Sequence, residues 1–355
     1  MLDKMAWKPF SDIDLNDVFF DSLKLDYPDF SDWFVRKSNE GRKAIIMEDE
    51  KGVHAFLALK REEENISLTD KVLPKIKRLK ISTLKIDDAV GKQRLGEGIV
   101  GVALWYWQTS KTDEVYVTSF PKQEKLIGLL KRFGFVEYGT NENGEIVLVK
   151  NRNNINYSNA YLSFPFLSPF AKKAGILPIN DYFHDRLFPY SESSLTSLDI
   201  EEVTAGNGIT KVYLGSPYTT THYSEGDIVG IYRKYTGDGP KGNKSAITSF
   251  CTITKVTIVK QRGCVRIPLE QYLKDTGNKT VFSESELREI YKKDNVVMLE
   301  MTYNGFFDKG CNVSYWSLKN EGLFEDYPYK IVYTIDQMKQ ILKMGGKDVE
   351  NIIID

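Results

Sequence analysis

Cysteine and histidine are scarce in this sequence, and the shortage excludes several chemistries. Cys251, Cys264 and Cys311 are the only cysteines in 355 residues. They form no C-x-x-C, and an odd number cannot all pair within one chain, so no disulfide framework is expected. His54, His184 and His222 are just as scattered. Without an H-x-x-x-H or a Cys/His cluster, no metal site is expected either. No G-x-S-x-G stands in the chain, so a hydrolase triad lacks support. An excess of one charge is also missing: the formal net charge is -1, and no whole-protein field favours nucleic acid or a membrane. No run approaches the roughly 20 apolar residues of a membrane span. The opening "MLDKMAWKPFSDIDLNDVFFD" carries no apolar leader core. A soluble, cytoplasmic protein without membrane partners is the expectation.

What is present is ordinary globular material. Apolar residues make up 41% and charged residues 27%, enough for packed cores. The length predicts about two domains at roughly 150 residues each. "GRKAIIMEDEKGVHAFLALKRE" reads as two strands around a turn at Glu48–Gly52. "IKRLKISTLKID" is a third strand: Leu79, Ile81, Leu84 and Ile86 alternate with polar residues, with one break in phase. Gly96 to Gln108 reads as a helix and "DEVYVTSF" as a strand. "KQEKLIGLLKRFG" is a helix closed by Gly134. A hairpin with Asn143-Gly144 at its tip completes residues 1–150. Strands alternating with helices predict an α/β or α+β layer there.

Residues 151–204 are rich in Asn and Ser and read as a connection. Residues 205–355 are strand-rich: "ITKVYLG", "GDIVGIYRKYT", "SAITSFCTITKVTIV" and "NVVMLEMTYN" predict a mostly β domain, a small barrel. Two helices interrupt it, with Ser283 and Glu286 as a capping box and Thr334 and Gly345 as cap and stop.

The stretch "GKQRLGEGIVGVALWYW" holds two phosphate-binding patterns, Q-x-x-G-x-G from Gln93 and G-x-G-x-x-G from Gly96. A dinucleotide site needs its first glycine directly after a strand and an acid at the tip of the next one. Residues 88–95 intervene before Gly96, and the next strand ends in Thr118 and Ser119. Both tests fail. Q-x-x-G-x-G needs only exposed amides leading into a helix. Those amides and the positive end of the helix dipole bind an anion. Lys92 and Arg94 add positive charge.

With "LKISTLKIDDAVGKQRLGEGIV", "EVYVTSF", a helix ending "LLKRFGF" and a closing hairpin, residues 15 to 150 resemble the GNAT (Gcn5-related) N-acetyltransferase superfamily. The resemblance implies an α+β fold: a mixed central sheet flanked by helices, binding acetyl-CoA as co-substrate. Its diphosphate would sit on Gly91, Lys92, Gln93, Arg94, Leu95, Gly96, Glu97 and Gly98. A main-chain N–H among Leu84, Lys85 and Ile86 would hold the acyl carbonyl. Many members place a tyrosine four residues before the glycine of the "GF" pair, as general acid; here that residue is Leu130. Ser119, Tyr116 and Tyr138 are the substitute acids, and Glu62, with Glu63 and Glu64, the candidate bases or binders of a cationic acceptor.

"YSEGDIVGIYRKYTGDGPKGNKSAITSFCTITKV" resembles PUA-like domains of the ASCH and EVE groups, without the ASCH signature G-x-K-x-x-E-x-R. Such domains frequently bind RNA. Residues 211–270 carry nine Lys or Arg against four acids. Arg233, Lys234, Tyr235, Lys241 and Lys244, with Tyr223 and Tyr232, form the expected RNA surface. The combined expectation is an acetyltransferase acting on an amine of an RNA (tRNA)-linked or protein substrate. The alternative is a non-catalytic acetyl-CoA sensor or RNA-binding regulator. His184, between Asp181 and Asp185, is expected to pin an interdomain connection rather than to catalyse.

Overall fold

β2 (Lys43–Asp49) and β3 (Gly52–Ser67) are the expected first hairpin, and β4 (Val72–Ile86) returns antiparallel along β3. A computed structural model describes residues 5–87, 94–191, 204–216, 220, 222–325 and 327–354. Its contacts divide the chain into two compact units, Met1–Asn154 and Ile155–Asp355.

The first unit is one mixed sheet in the order β1-β2-β3-β4-β5-β7-β6. The remaining strands are β1 (Ala6–Pro9), β5 (Glu114–Ser119), β6 (Val136–Thr140) and β7 (Ile146–Asn151). Among the described residues only β4 and β5 run parallel; every other neighbour is antiparallel. One face is covered by α1 (Asp21–Asp26) and α2 (Phe30–Asn39). Phe10, Phe20, Phe30 and Phe34 pack there on Phe56 and Ala58 of β3. Edge-to-face contacts such as Phe20–Phe56, with centroids 5.3 Å apart, add to the burial.

The long apolar helix α3 (Leu95–Ser110) follows β4, and α4 (Glu124–Arg132) follows β5. Ile99, Val100, Ala103, Leu104 and Trp107 of α3 are fully buried. The Arg152 guanidinium donates to the carbonyls of Trp107 and Gln108 at 3.0 and 3.1 Å, a cation at the negative end of α3. Gly134 takes the left-handed conformation (φ 81°) that ends α4, as its position after "LLKRF" requires.

The second unit is a sheet in the order β15-β8-β10-β11-β13-β9, with two short strands, β12 (Cys264–Val265) and β14 (Val313–Ser314), attached to β11. Here β8 is Ala174–Asn180, β9 Thr210–Gly215, β10 Ile228–Lys234, β11 Ala246–Gln261, β13 Val296–Phe306 and β15 Val332–Tyr333. Two expectations change. First, the ladder does not close: among the described residues β15 and β9 are its two ends, so no closed barrel forms. Helices Tyr315–Asn320 and Ile335–Met344 instead cover one core, burying Leu318, Met338, Ile341 and Leu342. Second, residues read as a connection include β8, which pairs in parallel with β10 from Ala174↔Ile228 to Asn180↔Lys234. Pro178 within that run hides a strand from sequence reasoning. Both expected capping residues are in place: Ser283 with Glu286, and Thr334 with Gln337.

Candidate active site

Among the described residues, the ladder between β4 and β5 runs only from Arg78↔Glu114 to Ile81↔Val117. Beyond it each strand continues with its other neighbour. On β4, Thr83 faces Ala58 and Ile86 faces Ala55; on β5, Thr118 faces Val147 and Ser119 faces Ile146. The two strands therefore part at their carboxyl ends, and main-chain groups face the gap without ladder partners.

A bulge accompanies the parting. Ile81 faces Leu59 and Thr83 faces Ala58, so Ser82 is an extra residue on β4. A bulge bends its strand and increases local twist. It also keeps Leu84 and Ile86 on the same face as Leu79 and Ile81, which is the break in phase seen in the sequence. In open α/β sheets, the crevice outside the carboxyl ends of strands at a switch in order is where ligands bind.

The N-terminus of α3 stands at this crevice. Arg94 precedes it in the left-handed conformation (φ 59°), and no side chain caps the helix among the described residues. Gly96 and Gly98 bring no side chains to the first turn. A Cβ on Gly96 would lie 3.4 Å from both Ile86 Cδ1 and Leu129 Cδ2, so the turn sits between the end of β4 and α4. Gly91, Lys92 and Gln93 lie outside the described residues.

Two charged residues of this stretch behave differently from the sequence reading. Arg94 is ion-paired with Glu97, which Arg132 also approaches at 3.8 Å. The Arg94 guanidinium is thus held on the protein rather than mobile, and Glu97 is a buried carboxylate matched to two arginines. Leu95 points into the core at 1% exposure. Main-chain N–H groups are what this turn can offer an anion. The Lys85 ammonium turns to the other face of the sheet, donating to the Phe19 carbonyl and to Ser22 Oγ at 2.6 Å. Leu84, Lys85 and Ile86 keep their β3 partners, and the parting begins earlier, at Ser82. Sequence reasoning missed Ser82 and Thr118; the phase break was the available signal.

Of the candidate acid–base residues, Glu62 and Tyr116 fall on the α1–α2 face, below the gap, whereas alternation puts Ser119 and Glu63 on the opposite face. Alternation along β3 puts Lys60 and Glu62 on the same face as Phe56 and Ala58. The Tyr116 hydroxyl donates to Glu62 Oε1, and Lys60 Nζ lies 2.8 Å from Glu62 Oε2. Burial would raise the Glu62 carboxyl, but the Lys60 and Tyr116 hydrogen bonds outweigh it and hold the group below its usual range. Burial, then Glu62, pushes the Tyr116 phenol well above its usual value. This pair is a carboxylate and a neutral phenol, one residue short of the last β4–β5 pair. Glu63 and Glu64 are exposed. Ser119 is buried at the end of β5, and Tyr138 packs against Ile66, Leu68 and Val147. Leu130 is wholly buried in α4. A second phenol–carboxylate pair escaped sequence reasoning. Tyr27, between α1 and α2, donates to Glu145 Oε1 at 3.0 Å and packs on Phe120, just past β5.

In the second unit, Arg233 is buried and grips both oxygens of Asp185 at 2.7 Å. Asp185 also meets His184 Nδ1 at 2.7 Å, while His184 Nε2 meets Thr248 Oγ1 at 2.7 Å. His184 is fully buried and, chiefly through that burial, titrates below its usual range. It pins helix Asp181–Leu187 to β11 inside this unit. Tyr223 and Tyr232 are core residues; the Tyr223 hydroxyl donates to the Ile176 carbonyl at 2.8 Å. The outward-facing part of the expected surface is Lys234, Tyr235, Lys241 and Lys244, with the Lys244 ammonium 4.4 Å above the Tyr235 ring. Trp316, half exposed, lies beside Gly242 and extends it.

No family model matches the chain, and no curated protein matches it. Several solved structures are similar to parts of it. AtaTR bound with acetyl-CoA is 19% identical over 42% of this chain and 94% of that one, with a TM-score of 0.33. The N-acetyltransferase PseH of Campylobacter jejuni, in complex with acetyl coenzyme A, is 14% identical over 42% of this chain and 99% of its own, with a TM-score of 0.28. A mutant ZmASCH protein from Zymomonas mobilis is 8% identical over 49% of this chain and 96% of its own, with a TM-score of 0.33. At such identities and scores, the reading of the site rests on the chain's own geometry.

Proposed function

We propose that the first unit is an acetyl-CoA-dependent N-acetyltransferase. The observation that carries this reading is the gap between β4 and β5 beyond Ile81 and Val117, with the N-terminus of α3, which no described side chain caps, beside it. An acyl carrier laid there would place its diphosphate on the main-chain donors around Gly91–Gly98 and its thioester between Ser82 and Thr118. A main-chain N–H of β4 that faces the gap, aimed at the acyl oxygen, stabilises charge as the tetrahedral adduct forms. Holding both substrates in one crevice removes much of the entropic barrier. Glu62, reached directly or through water, is the base candidate, and the neutral Tyr116 phenol is a proton donor for the departing thiolate.

The exposed basic and aromatic surface of the second unit supports RNA as the recognised partner, with an RNA-linked or protein amine as acceptor. Leu130 favours a second reading, a sensor that binds acetyl-CoA without turning it over. A thiol-release assay with acetyl-CoA and mixed cellular RNA or protein separates the two. Release of free coenzyme A that depends on the acceptor supports the enzyme; binding without release supports the sensor; no binding refutes both.

A further inference from the structure

A cavity of about 180 Å³ opens on the α2 face of the first unit, at the edge where β2 begins. Its wall includes Trp33, Lys37, Arg42, Lys43, Lys60 and Ser82. Among the described residues five of the lining residues are cationic and only Glu40 is acidic; one of the five, Arg61, turns its guanidinium to the Tyr106 ring of α3, 5.4 Å from its centroid. Glu40 is already neutralised by Lys37 at 2.7 Å, and Lys60 is engaged by Glu62 at 2.8 Å. Among the described residues the Arg42 guanidinium makes only a long contact of 3.4 Å, to the Leu59 carbonyl, and Lys43 is exposed at the first residue of β2. The cavity is therefore positive beyond what its own acid balances.

Its position gives the charge a use. Ser82, the bulged residue at which β4 leaves β5, belongs to the cavity wall. The cavity thus reaches the bulge, where β4 leaves β5, from the face opposite α3. A carrier entering past the α3 N-terminus would present its acyl group there, and a second substrate would arrive through the cavity.

Resting on the acetyl-CoA reading above, we infer that the cavity binds a phosphate group of the acceptor, so that the substrate is a phosphorylated amine. The lining cations come from three segments: α2, the turn into β2, and β3. That distribution suits a tetrahedral, multiply charged anion better than a planar carboxylate. Trp33 supplies a flat apolar wall for whatever the phosphate is attached to.

The test is a calorimetric comparison of O-phosphoethanolamine, ethanolamine, a 5′-phosphorylated tetranucleotide and an acidic tetrapeptide, each titrated into the full chain saturated with coenzyme A. The phosphorylated probes are expected to bind roughly tenfold tighter than ethanolamine. That advantage should vanish in Arg42→Gln/Lys43→Gln, while coenzyme A affinity stays unchanged. Both side chains are exposed, so the variant keeps its fold; an unchanged melting temperature checks it. A stronger response to the tetranucleotide identifies a polymer end, and to O-phosphoethanolamine a small metabolite. Phosphate binding that persists in the variant, or that coenzyme A abolishes, overturns the inference, as does preference for the acidic peptide. If coenzyme A fails to bind but the phosphate advantage still depends on Arg42 and Lys43, the acetyl-CoA reading falls and the phosphate site stands.

Discussion

Each unit of this protein contains one parallel strand pair among its described residues, and the two pairs end differently. β8 and β10 stay together along their full registered length, from Ala174↔Ile228 to Asn180↔Lys234. β4 and β5 hold only from Arg78↔Glu114 to Ile81↔Val117 and then part. The polar anchors are alike. Arg78 donates to Glu114 at 2.7 Å across the β4–β5 pair, and Arg233 grips Asp185 beside the β8–β10 pair. Each unit also buries a lysine against a carbonyl, Lys150 on Phe133 at 2.6 Å and Lys211 on Gly206 at 3.0 Å. The difference is the bulge at Ser82. A closed parallel pair is structural; an opened one exposes main-chain donors at a crevice, and chemistry becomes available.

Breaking an anchor should have the largest effect. Arg78→Met leaves Glu114 buried without its cation and should cost about 3–5 kcal/mol in urea unfolding. Arg78→Met/Glu114→Met should recover most of that loss. Equal losses in the single and double variants would show that the pair is not the anchor. The same cycle on Arg233 and Asp185 should give a single-variant loss of similar size, because both arginines are buried. Recovery there should be smaller, since Asp185 also holds His184.

Next in size is the crevice itself. Gly96→Glu adds a carboxylate beside Glu97 and a side chain against Ile86 and Leu129. Coenzyme A affinity should fall roughly tenfold or more, about 1.4 kcal/mol for each tenfold. Unchanged affinity in calorimetry would remove the α3 N-terminus from the site.

Lys150 sharpens the comparison through pH. Complete burial holds its ammonium well below the usual value of 10.5. The unfolded chain then binds more protons than the folded one, so stability rises with pH between the depressed folded value and 10.5. The slope from this group is at most about 1.4 kcal/mol per pH unit. Lys150→Met should flatten the rise; an unchanged pH profile would mean that the amine is not desolvated. The smallest effect belongs to the exposed patch. Lys241→Ala/Lys244→Ala should change stability by less than about 0.5 kcal/mol. It should lower the salt slope of RNA binding by roughly 0.7 for each single-strand phosphate that the two lysines neutralise. An unchanged slope would take both lysines out of the RNA surface.

Much of the first unit was legible because its signals are local. Alternation gave β2 to β4, Gly134 gave the end of α4, and Asn143-Gly144 gave the final turn. Even the bulge was present as the phase break between Ile81 and Leu84. What pairs with what was not legible. Nothing in "QRLGEG" reveals that Arg132 joins Arg94 on Glu97, or that Arg233 is buried on Asp185, because those partners meet only through tertiary folding. Tyr27 and Glu145 are 118 residues apart, and no sequence spacing announces them. β8 was lost because Pro178 argues against a strand, whereas parallel pairing to β10 tolerates it here.

A crystal structure with bound coenzyme A is the most direct examination of the opened pair. The sulfur is predicted to lie between Ser82 and Thr118, with the diphosphate on main-chain N–H groups at the start of α3. Coenzyme A bound away from the β4–β5 gap, or the two strands closed on each other past Ile81 and Val117, would contradict the account.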